Sequence, residues 1–267
     1  MAGEQDPEPG ADQEAAFRRA REAVLGRIAD AAARAGRDAA GVTLVAVSKT
    51  VSADLLRHAL AAGLTLLGEN RVQEAETKVA ALPGARWHLV GPLQSNKAHR
   101  AAAIFDMIQS LDSVELATRL DRAAAADRPG RRLPVLLQVN VDRDAAKAGF
   151  DPDAVATALP GLLALPALRI DGLMTIGRLV QDPEAARPAF RALHELSARL
   201  RRTWPGLGPE LSMGMSDDYE VAVEEGATIV RVGRALFGNR PTPPPAQAGV
   251  GAGAPGSALP SRSTGSR

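Results

Sequence analysis

The chain has 267 residues, of which 45% are hydrophobic and 24% charged, a composition typical of a globular protein with one sizeable core. Its 32 Lys and Arg residues nearly balance its 31 Asp and Glu residues, so charge gives no reason to expect nucleic acid or an anionic membrane as a partner. The absence of Cys excludes disulfides, thiolate nucleophiles and thiolate metal sites.

Both ends of the sequence are predicted to be disordered. Residues 1–14 are acidic and contain Pro and Gly, and residues 241–267 are rich in Pro, Gly, Ala and Ser, so neither segment can bury enough apolar surface to order itself. The amino terminus does not resemble a secretory signal, and no apolar run is long enough for a membrane helix. We expect one ordered domain at residues 15–240, in the cytoplasm.

The ordered part begins with an amphipathic helix, because apolar residues from Phe17 to Ala35 recur at steps of three and four. Short apolar runs follow after Gly41, most of them separated by helical patterns. Each run is predicted to be a strand: residues 43–48, 65–69, 86–91, 107–111, 135–140, 170–176, 210–214 and 228–233.

Helix start signals support this alternation. Asp182 and Pro183 precede an apolar helical stripe, and Asp217 with Glu220 forms a possible capping box. The strands are apolar on both faces, as strands buried under helices are. Eight strands alternating with helices favour a closed (β/α)₈ barrel with an extra N-terminal helix. An open α/β sheet is the alternative, although no G-x-G-x-x-G motif follows any strand.

In such a barrel, functional residues lie at the carboxyl ends of the strands and in the loops that follow. The first strand ends at Ser48-Lys49-Thr50. A lysine drawn into the barrel mouth is desolvated, which lowers its pKa and favours the neutral amine. A neutral amine is what a Schiff-base lysine requires, such as one that holds pyridoxal 5′-phosphate (PLP). The alternative is a lysine whose ammonium merely reaches the solvent at the rim.

The loops after the seventh and eighth strands are rich in Gly and Ser, and barrels often bind a phosphate there. Ser212, Ser216, Gly233 and Arg234 are the predicted phosphate-binding residues, with Gly214 allowing close approach of the backbone. The alternative is that the glycines only end strands and tighten turns.

Arg231 is predicted to point into the barrel, two residues before Gly233. A guanidinium facing the pyridine nitrogen of the cofactor would keep that nitrogen unprotonated, which disfavours strong carbanion chemistry. The alternative is an ion pair between Arg231 and a core carboxylate such as Glu69.

Other polar residues carry weaker predictions. Glu69 and Asn70 follow the second strand and either orient the cofactor or form an internal polar layer. His88 and His99 are candidates for proton transfer, but without metal-ligand spacing they fit structural roles better. The arginine-rich segment 187–202 is predicted to be the solvated face of an amphipathic helix.

At these residues the sequence resembles the pyridoxal-phosphate homeostasis proteins, which share the barrel of the alanine racemase amino-terminal domain. The resemblance extends from about Leu44 to Gly238. Eight motifs in order carry it: VAVSKT (45–50), GENRVQE (68–74), WHLVGPLQSNK (87–97), QVN (138–140), KAG (147–149), GLMTI (172–176), LSMGMSDD (211–218) and VRVGRALFG (230–238).

The resemblance implies roles for single residues. Lys49 matches the lysine that carries the cofactor, Arg231 the arginine at the ring nitrogen, and Asn70 the asparagine near the cofactor. Ser212 or Ser216, Gly233 and Arg234 match the phosphate-binding positions. Lys147 matches a lysine implicated in a second, weaker PLP site.

The resemblance also implies a function, that of a PLP carrier without a defined catalytic turnover. We expect a monomer that binds PLP and hands it to apo-enzymes, with no metal, nucleic acid or membrane involved. One alternative is an amino-acid racemase, for which the single Tyr of the chain, Tyr219, leaves no obvious second base. Another alternative is a barrel that binds some other phosphorylated metabolite without a covalent bond.

Overall fold

A computed structural model of the protein describes residues 9–178 and 180–238. Within them, eight parallel strands close into a barrel in sequence order, and helices lie between the strands on the outside. The prediction of a (β/α)₈ barrel is confirmed, and the alternative of an open sheet is wrong.

The strands are β1 (Thr43–Val47), β2 (Leu66–Glu69), β3 (Arg86–Leu89), β4 (Met107–Leu111), β5 (Leu133–Gln138), β6 (Leu168–Met174), β7 (Glu210–Ser212) and β8 (Ile229–Val232). The helices are α1 (Pro9–Arg34), α2 (Ala53–Ala61), α3 (Val72–Val79), α4 (Ala98–Ile104), α5 (Val114–Asp127), α6 (Pro152–Leu163), α7 (Arg187–Thr203), α8 (Tyr219–Glu224) and α9 (Arg234–Phe237). Short 3₁₀ helices occupy Ala39–Gly41, Ser95–Lys97 and Pro183–Ala186.

Side chains alternate between two apolar layers along each strand. One layer fills the barrel interior, and the larger layer lies between the strands and the helices. On β1, for example, Val45 belongs to the interior cluster and Ala46 to the outer one. This alternation decides which polar residues enter the interior: a side chain two positions from an interior residue faces the same way.

The barrel closes where the first strand meets the last. β1 pairs with β2 through Ala46 and Leu67, and with β8 through Val45 and Arg231. The extra helix α1 covers this junction from outside and contacts α2, α8 and α9. The rings of Phe17 and Phe237 meet edge to face, with their centroids 5.7 Å apart.

Helix α1 begins at Pro9, so helical structure starts before residue 15, where the sequence predicts the ordered domain to begin. Proline suits the first turn of a helix, Asp12 in that turn complements the helix dipole, and Glu14 pairs with Arg18 one turn later. Residues 1–8 and the predicted tail 241–267 lie outside the described residues.

The two predicted helix starts have different outcomes. The carboxylate of Asp182 accepts a hydrogen bond from the Glu184 amide and caps the 3₁₀ helix that leads into α7. The predicted capping box of Asp217 and Glu220 is wrong, because Asp217 pairs with Arg234 and Glu220 with Arg27. In the described part of the chain, no helix has the length and apolarity needed to cross a membrane.

Candidate functional site

Lys49 lies just after β1 at the carboxyl-terminal mouth of the barrel. Val45 and Val47 contact the interior cluster, and the same alternation places Lys49 on the interior side of the turn that follows. Its side chain is exposed, so the predicted desolvation of Lys49 is wrong in this structure. The amine is instead accessible to a small molecule that enters the mouth from solvent.

A buried lysine that the sequence analysis missed holds the turn that carries Lys49. Lys78 of α3 donates hydrogen bonds to the Ser48 carbonyl at 2.9 Å, the Glu69 carboxylate at 2.7 Å and the Glu74 carboxylate at 2.8 Å. Glu74 also accepts a hydrogen bond from the Thr50 amide. The backbone on both sides of Lys49 is therefore fixed by one buried ammonium group.

Glu69 lies in the outer layer, not in the barrel mouth. On β2, Leu66 faces the barrel interior and Leu67 the outer layer, so Glu69, two positions after Leu67, also faces outward. Its side chain is fully buried under α3. The Ser48 hydroxyl donates to its Oε1 atom at 2.6 Å, whereas Oε2 has no hydrogen-bond partner within the described part of the chain. Burial raises the pKa of Glu69, and the hydrogen bonds from Lys78 and Ser48 oppose that rise. Glu69 thus supports the Lys49 turn, and the prediction that it orients a cofactor directly is not supported.

Thr50 has a positive backbone dihedral, with φ at 65°. A β-branched residue rarely adopts this left-handed conformation, and such strain persists only where surrounding contacts impose it. Here the contact is the hydrogen bond from the Thr50 amide to Glu74. The turn at Lys49 and Thr50, which follows the end of β1 at Val47, is therefore held in an unfavourable shape.

Arg231 of β8 points into the barrel, two positions after the interior residue Ile229. Its Nη1 donates to the Ser212 hydroxyl at 2.6 Å and its Nη2 to the Thr175 carbonyl at 2.8 Å. No carboxylate of the described residues lies within 4 Å of the guanidinium, so the predicted alternative of an ion pair with Glu69 is wrong. Burial lowers the pKa of Arg231 to about 10, which leaves a buried cation at neutral pH.

Ser212 is fully buried between two side chains of the barrel interior. Its hydroxyl accepts from Arg231 and donates to the Gln109 side chain at 2.6 Å. Both hydrogen-bonding functions of the hydroxyl are thus engaged with interior side chains. Of the two predicted phosphate-binding serines, Ser212 is therefore unsuited to that role.

Three other predicted phosphate-binding residues do come together at the ends of β7 and β8. The Gly233 amide donates to the Ser216 hydroxyl at 3.2 Å. Arg234 begins α9, is exposed, and pairs with Asp217. Backbone amide, hydroxyl and guanidinium groups of this kind suit a phosphate dianion.

Gly214 is required by the packing of the same loop. Its φ is +87°, and a Cβ atom there would lie 2.5 Å from the Cβ of Ala222 and 2.9 Å from the Cα of Tyr219. Its carbonyl accepts from the Arg231 amide at 3.1 Å, which ties the loop after β7 to β8. The glycine therefore does more than end a strand.

Asn70 is half-buried at the end of β2. A Cβ atom on Gly91, in the loop after β3, would lie 2.5 Å from the Asn70 carbonyl oxygen, so glycine is needed for this close approach. The backbone of Asn70 is thus held against the loop after β3, at the end of the strand that pairs with β1.

Lys147 lines a separate cavity of about 190 Å³ at the mouth. Its ammonium donates to the Asp142 carboxylate at 2.9 Å and to the Ile176 carbonyl at 3.2 Å. The cavity also contacts Pro92, Gln138, Asn140 and Ile176. Lys147 is therefore placed beside a space, as the predicted second site needs, while its amine is engaged in an ion pair.

The two candidate histidines have unlike surroundings. His99 is exposed and contacts Asp127, as expected for a surface residue. His88 is buried in the barrel interior, where its Nδ1 atom lies 2.8 Å from the Gln109 amide nitrogen. Among residues 9–178 and 180–238 there is no group of acidic residues, His and Cys that could hold a metal ion.

The arginine-rich segment forms α7, with the predicted apolar stripe buried. Arg187 pairs with Glu184, Glu224 and Glu225, and Arg191 also pairs with Glu225. These contacts join α7 to α8 on the outside of the barrel.

The sequence of this chain is similar to those of several known proteins. The family model for the N-terminal domain of alanine racemase matches residues 22–241. The pyridoxal phosphate homeostasis protein of Pseudomonas aeruginosa is 45% identical over 221 residues, covering 81% of this chain and 93% of that protein. The protein of the same name from Aquifex aeolicus is 42% identical over 219 residues, covering 81% of this chain and 95% of that protein.

A solved structure agrees with this similarity. The PipY protein of Synechococcus elongatus PCC7942, solved with PLP bound, matches with a TM-score of 0.69 and 43% sequence identity. The match covers 79% of this chain and 100% of that chain.

Proposed function

Because this chain belongs to the alanine racemase N-terminal domain family and, within it, to the pyridoxal phosphate homeostasis proteins, we propose that it binds PLP and serves PLP homeostasis in the cytoplasm. Lys49 would hold PLP covalently through the cofactor aldehyde, which supplies Schiff-base chemistry with loss of one water molecule. The protein acts as a monomer that hands PLP on to apo-enzymes.

The observation that carries this proposal is the buried cation of Arg231. A guanidinium in the barrel interior with no carboxylate of the described residues within 4 Å is costly unless its N–H groups find acceptors. Within residues 9–178 and 180–238, two of its five N–H groups are hydrogen bonded, to Ser212 and Thr175, which leaves three donors. An aromatic nitrogen with a free lone pair is a suitable acceptor for one of them.

The residues around the mouth fit the remaining groups of PLP. Ser216, Gly233 and Arg234 bind the phosphate, and Asn70, at the end of the strand that pairs with β1, contacts the cofactor. The pair of Arg234 with Asp217 is exposed and exchanges readily for a phosphate contact, because exposed ion pairs contribute little. Lys147 and the cavity beside it provide a second, weaker PLP site.

The residues favour a carrier over a racemase. When bound, PLP stabilises negative charge at the α-carbon of an amino acid, but two-base racemisation also needs a second acid/base group. Tyr219, the one Tyr of the chain, is buried on α8 beneath Arg27, with the guanidinium 5.6 Å from the ring centroid. It is therefore on the outside of the barrel and is not available as that group.

Borohydride reduction tests the covalent site. We expect PLP-loaded protein to show a visible absorbance band that disappears on reduction, and peptide mapping to find the reduced adduct on Lys49. Lys49→Ala removes this band and adduct, whereas Lys97→Ala, which changes another lysine of the mouth, retains both. Retention of the adduct in Lys49→Ala would assign the covalent bond to another lysine. Tight PLP binding without any adduct would favour a barrel that binds phosphorylated ligands without a covalent bond.

A second assay separates a carrier from an enzyme. We expect loaded protein to activate an added apo-enzyme, and to exchange the α-protons of amino acids in deuterated water far more slowly than enzymes turn over. Exchange at about 1 per second or faster would support the racemase alternative.

A further inference from the structure

Four polar side chains form a continuous hydrogen-bonded chain across the barrel interior. Arg231 on β8 is joined to Ser212 on β7 at 2.6 Å, and Ser212 is joined to Gln109 on β4 at 2.6 Å. Gln109 is joined to His88 on β3 at 2.8 Å. Since β7 and β4 are not adjacent strands, the Ser212–Gln109 link spans the barrel rather than following its wall.

Along this hydrogen-bonded chain, each residue donates to the next one in the direction from Arg231 to His88. A guanidinium can only donate, so the Ser212 oxygen is the acceptor from Arg231 and its one proton is available for Gln109. The Gln109 side chain must then present its oxygen to Ser212 and its amide N–H group to His88. This leaves Nδ1 of His88 as an acceptor, so its ring proton lies on Nε2.

The environment favours this neutral arrangement at the His88 end. All four side chains are buried, with exposed fractions from 0% for Ser212 and Gln109 to 8% for His88. Burial lowers the pKa of His88 to about 4; Asp106 opposes that fall and Arg86 adds to it. A protonated imidazole would also have no lone pair to offer Gln109.

We propose that Gln109 is a positioning residue that, through Ser212, holds the guanidinium of Arg231 as a fixed donor beneath the cofactor. This inference rests on the proposed function and adds a residue to it. The guanidinium is held from one side by Ser212 and from the other by the Thr175 carbonyl, so its remaining N–H groups keep one direction. Without Gln109, the Ser212 hydroxyl loses its acceptor and the guanidinium can turn.

The hydrogen-bonded chain of side chains also explains why residue 109 must be neutral and must offer both an acceptor and a donor. Met has a similar length but offers no hydrogen bond to either neighbour. Glu can still accept from Ser212, but its second oxygen cannot donate to His88. With Glu at this position the contact survives only if the imidazole donates, either as imidazolium or as the other tautomer.

The first experiment needs no cofactor. Nitrogen NMR of the wild-type protein labelled at its histidines is expected to show His88 neutral at pH 7, with the proton on Nε2. In Gln109→Glu the His88 pKa is expected to rise by about one unit or more, as for a histidine facing a carboxylate. A proton on Nδ1 in the wild-type protein, or an unchanged titration in Gln109→Glu, would overturn the chain. The wild-type spectrum decides the first point even if a variant fails to fold.

The second experiment measures PLP itself. Gln109→Met and Ser212→Ala are expected to raise the Kd for PLP by about tenfold or more and to shift the visible absorbance band. Each variant removes a hydrogen bond of the chain that holds the Arg231 guanidinium in place. Ser110→Ala is the matched control: Ser110 is equally buried on β4, but it donates to the Gly91 carbonyl outside the chain. The control is expected to change neither quantity.

The two proposals fail in distinguishable ways. If Lys49 is labelled but Gln109→Met folds and leaves Kd and absorbance unchanged, the positioning role is wrong and PLP binding stands. If the wild-type protein binds no PLP, the proposed function fails, and Gln109 then positions nothing for a cofactor. Midpoints of urea unfolding for each variant separate lost positioning from lost folding.

Discussion

The ammonium of Lys78 lies 2.7 Å from the carboxylate of Glu69, and both side chains are buried beneath α3. The pair is the centre of the contacts that hold Ser48 and Thr50 on either side of Lys49. A buried ion pair contributes little net stability over an apolar pair, but loss of one partner is expensive. Its role here is to fix the shape of the turn.

Lys78→Met is therefore expected to lower the free energy of unfolding by about 3–5 kcal/mol, because Glu69 is left buried without its cation. Urea unfolding measures this loss. The double variant Lys78→Met/Glu69→Leu removes the orphaned charge and is expected to recover most of the stability while still weakening PLP capture by Lys49. Equal instability of the single and double variants would contradict the role of Glu69.

The loss in Lys78→Met should depend on pH. Burial already raises the pKa of Glu69, so the folded state binds its proton more readily than the unfolded state does. Stability from this group therefore falls as pH rises from the ordinary glutamate pKa through the raised one. Without Lys78 that window moves upward, so we expect the variant to be closer to the wild-type protein at pH 5 than at pH 8. A pH-independent difference would contradict this.

Thr50→Gly tests the strain in the same turn. Glycine adopts a φ of 65° without a Cβ penalty, although it also gains freedom in the unfolded chain. We expect a change in unfolding free energy between zero and about 1 kcal/mol in favour of the variant, together with slower appearance of the PLP absorbance band because Lys49 is held less firmly. Thr50→Val keeps the branched carbon and should retain the strain. If Thr50→Gly captures PLP as fast as the wild-type protein does, the strain at residue 50 has no role in PLP capture.

Gly214→Ala is expected to be far more harmful than Gly36→Ala. Both glycines have positive φ, but a Cβ at Gly36 would meet no atom of the described residues within 4 Å, whereas one at Gly214 would meet Tyr219 and Ala222. Gly36→Ala should cost about 1 kcal/mol, for the left-handed conformation alone, and Gly214→Ala about 3 kcal/mol or more. Urea unfolding compares them, and PLP binding should be lost only in Gly214→Ala. Similar losses of unfolding free energy in the two variants would show that the loop after β7 rearranges to accommodate the added Cβ atom.

His88 predicts a loss of stability in acid. Its pKa is lowered to about 4 by burial, so between pH 6.5 and 4 the unfolded state binds more protons and stability falls as pH falls. The shift corresponds to about 3 kcal/mol across that range. His88→Gln should flatten the dependence of the urea midpoint on pH, whereas His99→Gln, at an exposed site, should leave it steep. An unaltered slope in His88→Gln would assign the acid sensitivity to other groups.

Much of the barrel could be predicted from hydrophobic patterning. Each predicted strand overlaps an observed one, because buried parallel strands are dense in branched apolar residues and glycine or polar residues interrupt them. The start of α1 was placed too late, since an acidic, proline-containing segment looks disordered unless its ion pairs are known. The Glu14–Arg18 pair, four residues apart on one helix face, is a local signal that supports the earlier start.

The site was predicted less completely, because facing direction decides the role of each polar residue. Alternation along β2 and β7 could have assigned Glu69 to the outer layer and Ser212 to the interior, had the strand register been known. Gln109 was detectable as a polar residue two positions after the interior Met107. Lys78 was detectable as a lysine on the apolar stripe of α3 that includes Val72 and Ala75. The exposure of Lys49 depends on the turn and has no sequence signal.

The pairing of β1 with β8 has a consequence for synthesis on the ribosome. The first strand finds its second neighbour only after residues as late as Val232 have emerged, and α1 reaches Glu220 and Phe237 at the same stage. Until then the nascent sheet has two open edges, which invite association with other chains. Contacts so distant in sequence form slowly. We therefore expect newly made chains to need a chaperone until the eighth strand arrives.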